Sequence, residues 1–112
     1  MNGRLGSGLP QKAVNWWIDL MAKTAPSTME GFLQMVPTVD VTGCLDRIRA
    51  PTLVVTTTGS MLGSTSEVEA WQRKIGGSQL EVLPGDSYHV AASDPDACAE
   101  LVAAFLKQHA AA

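Results

Sequence analysis

Thr52-Leu53-Val54-Val55-Thr56-Thr57 is the most strand-like run in the chain, β-branched or apolar at every position. A strand that is apolar on both faces is at home in a parallel sheet with helices on each side. A second strand-like run, Gln79 to Leu83, stops at Pro84-Gly85, a strong turn signal. Between the two, Ser66-Glu67-Val68-Glu69 reads as a capping box that opens a helix over 66–75. Its inward side chains are Val68, Trp71 and Ile75, and Gly76-Gly77 is its stop. Strand, helix, strand in this order predicts one right-handed crossover unit with parallel strands. Two strands alone leave unpaired backbone on both edges and are marginal in water. The expected fold class is therefore α/β: a small parallel βαβ unit with covering helices, the end of an incomplete sheet.

Working outward, Gln11 to Lys23 carries Val14, Trp17, Ile18 and Met21 at helical spacing, with Trp16 and Leu20 widening the stripe. Pro26 is expected to end that helix, and Ser27-Thr28-Met29-Glu30 reads as another capping box. The helix it opens carries Phe32, Leu33 and Val36 and stops at Pro37. These two helices suit a core, a lid over a pocket, or a dimer surface. Asp40 to Arg49 reads as a short helix anchored by Leu45 and Ile48. Asp94 caps a last helix, Pro95 takes its first turn, and Cys98, Leu101, Val102 and Phe105 form its inner face. Residues 1–10 are Gly-rich and expected to fray, or to be the cut end of something longer. The chain is thus one domain, 1–112, divided into a flexible start (1–10), cap-like helices (11–37) and a C-terminal α/β unit (38–112).

With 46% hydrophobic and 17% charged residues, the 112-residue chain suits one small globular domain. A net charge of −3 with scattered basic residues argues against nucleic acid as a partner. No apolar run approaches the ~20 residues needed to span a membrane, and the start lacks the apolar segment of a secretory signal. Cys44 and Cys98 fit neither a metal knuckle nor a redox Cys-x-x-Cys, so both are read as reduced thiols in a cytoplasmic protein. His89, His109, Cys44 and Cys98 have no ligand spacing, so no metal or other cofactor is expected. His109 falls in an Ala-rich tail expected to fray.

His89 is the candidate catalytic residue. It follows Pro84-Gly85 on the loop between the second strand and the closing helix, and a histidine there can take and return a proton near neutral pH. The other reading is that it merely hydrogen-bonds within the loop. Pro51-Thr52-Leu53-Val54-Val55, then a helix, then Leu80-Glu81-Val82-Leu83-Pro84-Gly85-(x)3-His89 and a closing helix together resemble the C-terminal end of α/β-hydrolases. The resemblance implies that 52–57 is the penultimate strand of such a sheet and 79–83 the last. It also implies that His89 is the catalytic histidine and that the helices at 11–36 correspond to the cap.

The chain departs from that pattern in its nucleophile. No Gly-x-Ser-x-Gly elbow occurs; Gly85-Asp86-Ser87-Tyr88-His89 comes nearest, and Ser87 reads as a turn residue. An oxyanion hole from upstream strands is also missing. Ser60 stands where the family often has its acid, and a serine cannot stabilise an imidazolium; Asp86 is the one local substitute. The expected function is the C-terminal part of a hydrolase of an ester or related bond, inactive as this chain alone. In a complete parent, His89 would activate a serine, water or similar nucleophile against a small-molecule substrate. The alternative is a non-enzymatic association module. A homodimer is expected, because Trp16, Trp17, Met21, Phe32 and Met35 offer more apolar area than one small sheet can absorb.

Overall fold

A computed structural model describes residues 2–110. Its centre is the crossover unit: strand β1 (Leu53–Thr57), helix α4 (Thr65–Gln72) and strand β2 (Gln79–Leu83), following helices α1 (Asn2–Leu5), α2 (Gln11–Met21) and α3 (Pro26–Met35). The strands are parallel neighbours with Leu53 beside Gln79 and Thr57 beside Leu83, as the run-helix-run pattern predicts. Two further helices close the chain, α5 (Val90–Ser93) and α6 (Pro95–His109), and two 3₁₀ segments, Val36–Thr38 and Thr42–Arg47, lead from α3 towards β1. The molecule is a small α/β unit in which the described sheet has two strands.

The buried apolar residues are Leu5, Val68, Ile75 and Val90, joined by buried Thr56, Thr57, Gln72 and Ser87. Every one comes from α1 or from the segment 56–90. Trp71, expected inward with Val68 and Ile75, keeps 38% of its surface exposed. Helices α2, α3 and α6 contribute no buried residue. On α2 the predicted stripe is half-buried at Val14, Trp17 and Met21, whereas Ile18 is exposed. On α6, Cys98, Leu101 and Phe105 are half-buried and Val102 faces water. The chain exposes 7878 Å², against about 5,900 Å² for a compact monomer of its mass. Its radius of gyration is 16.0 Å, against about 13 Å for a chain of this length.

Several local expectations are corrected. The Gly-rich start does not fray over residues 2–9: α1 packs on the loop that follows β2, and Leu5 is the most deeply buried side chain, 1% exposed. The main-chain N–H groups of Tyr88 and His89 donate to the carbonyls of Gly3 and Arg4 at 3.3 and 3.0 Å. Gly6 permits this approach. It sits at φ +70°, and a Cβ there would run into the Asp86 carboxylate and the Ser87 main chain.

Pro26 begins α3 rather than only ending α2, since a proline at the first helical position loses no hydrogen bond. Ala25 is then the cap residue, Ser27 lies inside the helix, and no Ser27–Glu30 box forms. The second capping box exists two residues earlier than expected. Ser64 accepts from the Glu67 N–H at 3.3 Å, while the Glu67 carboxylate accepts from the Ser64 N–H at 2.7 Å. Ser66 and Glu69 have the same spacing, so the motif alone does not choose between them. The extended backbone at Ser64 (ψ 157°) makes the choice. Asp94 caps α6 as expected, accepting from the Ala97 N–H at 3.2 Å. His109 belongs to α6 rather than to a frayed tail, with its ring 4.5 Å from that of Phe105.

Candidate functional site

The C-terminal ends of both strands and the loop 84–89 meet at one rim. Pro84-Gly85 turns the chain out of β2, and the Gly85 carbonyl accepts from the Gly59 N–H at 2.8 Å. Thr57 at the end of β1 donates its hydroxyl to the Ser87 carbonyl at 2.6 Å. One main-chain and one side-chain bond thus tie the loop across the top of β1, and His89 emerges as the residue immediately before α5.

His89 lines a cleft of about 430 Å³ whose other walls include Trp17, Val55, Tyr88, Val90 and Cys98. Its Nε2 lies 2.9 Å from Nη1 of Arg4. A guanidinium can only donate, so Nε2 accepts and the neutral ring carries its proton on Nδ1. Partial burial in the cleft pushes the pKa of His89 below the ordinary histidine value, and the Arg4 charge adds to the effect. The guanidinium also lies over the Tyr88 ring, 5.6 Å from its centroid. A neutral imidazole with Nε2 accepting is the form a general base needs, and Arg4 holds the position where a proton donor would stand.

The remaining triad positions are not assembled around it. Ser87 is 2% exposed; its hydroxyl donates to the Arg4 carbonyl at 2.7 Å and accepts from the His89 N–H at 3.0 Å. That is a turn-fixing serine with no access to substrate, as read from the sequence. The Asp86 carboxylate accepts from the Ser7 N–H at 2.9 Å, and this bond lowers its pKa. Among the described hydrogen bonds none joins Asp86 to His89. Ser60 lines a different cleft, with Leu62 and Trp71, and accepts from the Leu62 N–H at 3.3 Å. Cys98 shares the His89 cleft, Cys44 is exposed, and both thiols are free.

Sequence reasoning did not find Arg4 or Tyr88. Arg4 is 85 positions from His89 and sits in a stretch with no periodic signal; Tyr88 stood beside the candidate but had no motif role. Among the described residues no cluster of His, Cys, Asp and Glu could hold a metal ion, and no helix is long and apolar enough to cross a membrane. Comparison of the chain with protein-family models, with curated proteins and with solved structures finds no match.

Proposed function

We infer that the chain is the C-terminal part of an α/β-hydrolase-like hydrolase acting on an ester or related bond, with His89 as its general base. The observation that carries this reading is the position of His89: at the carboxyl-end rim of a parallel βαβ unit, facing an apolar cleft, with Nε2 turned to the Arg4 guanidinium at 2.9 Å. In the reaction a nucleophile's hydroxyl would replace the Arg4 guanidinium as the donor to Nε2, and His89 would take its proton as the nucleophile attacks the carbonyl carbon. The same proton would then pass to the leaving group. This chain supplies the base and one wall of the cleft. It supplies neither nucleophile nor oxyanion donors, so it is inactive by itself, because the members of such a unit act together. Free thiols at Cys44 and Cys98 fit a reducing, cytoplasmic setting.

The reading frame upstream of Met1 tests the proposal. An in-frame Gly-x-Ser-x-Gly elbow is expected there. The extended polypeptide should hydrolyse a nitrophenyl ester, and His89→Ala should abolish the activity. The lack of an elbow, or turnover that survives His89→Ala, overturns it. A second reading, a non-enzymatic association module, is favoured by the roughly 2,000 Å² by which the exposed surface exceeds that of a compact monomer.

A further inference from the structure

The register of the two strands fixes which main-chain groups are spent. Gln79 N–H donates to the Thr52 carbonyl at 2.9 Å and Thr58 N–H to the Leu83 carbonyl at 3.0 Å. Even-numbered residues of β1 therefore turn their N–H and C=O groups towards β2, and Leu53, Val55 and Thr57 turn theirs to the opposite edge. Thr57 is 2% exposed and enclosed by the loop 84–87 and Leu5. Leu53 and Val55 are left, and no described hydrogen bond reaches their main-chain groups. Nothing along Leu53–Thr57 protects this edge: it has no charge, proline or bulge, whereas β2 carries Glu81. Clefts of about 430 and 210 Å³ open on the two sides of β1, and Val55 and Tyr88 line both.

We propose that a second copy of this chain pairs its β1 antiparallel to β1 across this edge, about a two-fold axis at Val54, giving a four-stranded sheet. The unpaired groups select both occupant and register. An edge with two free residues, i and i+2, is self-complementary about the residue between them. Leu53 then exchanges both bonds with Val55 of the second copy and Val55 with Leu53, so four new bonds satisfy the N–H and C=O groups of both residues. The exposed area agrees: an excess of about 2,000 Å² per chain exceeds the ~800 Å² that each partner of an ordinary interface buries. The apolar surface runs on from the edge, since Tyr88 also lines the cleft holding Met21 and Met61, and Met21 the one holding Met29 and Phe32. This inference concerns the 112-residue chain by itself: in a longer parent of the kind proposed above the same edge would take the preceding strand of the sheet, so the dimer is tested on this chain and His89 chemistry on the extended polypeptide.

Sedimentation and thermal melting of the full chain at micromolar concentration test it. A dimer is expected, with a melting temperature that rises with protein concentration. Leu53→Pro removes a donor from the edge at the first strand position, which the isolated fold tolerates, and should weaken dimerisation about tenfold or more. If that variant misfolds, Val54→Cys in a Cys44→Ser, Cys98→Ser background decides. Two residues facing each other across the axis have Cα atoms about 4.5 Å apart, within disulfide range, so oxidation should give a linked dimer, while Leu80→Cys on the outer edge of β2 should not. A monomer with a concentration-independent melting temperature overturns the proposal. So does a dimer that neither responds to Leu53→Pro nor cross-links through Val54→Cys.

Discussion

The crossover unit, 53–83, carries less apolar side chain than the helical approach to it, 11–47, yet buries more of it. The first buries Val68 and Ile75 around paired strands; the second buries no residue fully and leaves Trp16, Phe32 and Leu33 more than half exposed. Helical periodicity is local and needs only an apolar stripe, so α2 and α3 form from their own sequence. Burial is not local. It requires a facing surface, and two strands already covered by α4, α5 and α6 offer little more.

Core truncation should separate the regions most sharply. Ile75 is 4% exposed and Phe32 53%. Ile75→Ala should cost about 2–5 kcal/mol in urea unfolding, a large share of the stability of a small domain. Phe32→Ala should cost less than about 0.5 kcal/mol in a monomer. Comparable costs at micromolar concentration would mean that α3 is covered in solution, and the contrast between the regions would then belong to the isolated chain only.

What was legible in the sequence follows the same division. Strand positions, their parallel pairing, the Asp94 cap and the loop carrying His89 were all readable, because each depends on neighbours in the chain. Which Ser-x-x-Glu becomes a capping box was not, because Ser27, Ser64 and Ser66 all satisfy the spacing and the backbone conformation of the serine itself decides. The ordered start was illegible for a different reason. Leu5 and Arg4 owe their places to the loop 86–89, and no local pattern encodes an approach across the length of the chain. The candidate site was half legible: the sequence points to His89 as a candidate, and not to the side chain that occupies its acceptor nitrogen.

The cap provides a test of intermediate size. Ser64→Ala removes a side chain that accepts from the Glu67 N–H and orients its carboxylate, and should cost about 1 kcal/mol. Ser27→Ala, inside α3 with no cap bond, should stay within about 0.5 kcal/mol. Equal costs in matched urea titrations would restore the box at 27–30 and move the start of α3.

The smallest effect lies at the seam between the two ends of the chain. The pKa of His89 is held below its ordinary value of 6.5 first by partial burial and then by the Arg4 charge. A proton resonance of the His89 ring should therefore titrate below 6.5 in the folded protein. Arg4→Ala removes one cause and leaves the other, so the midpoint should rise without passing the ordinary value. The direction of the stability effect follows. A histidine whose folded pKa lies below its unfolded one binds its proton more readily when unfolded. Its contribution is complete above the unfolded pKa and is lost as pH falls through the folded value. Acidification through that window should destabilise the wild type more than Arg4→Ala, because only the wild type sets an imidazolium against a guanidinium at Nε2. His89→Gln removes the titrating group and should flatten this part of the pH profile. A wild-type midpoint at or above 6.5, unmoved by Arg4→Ala, would mean that α1 does not hold Arg4 against His89 in solution, and that the cleft beside Trp17 stands open at its histidine.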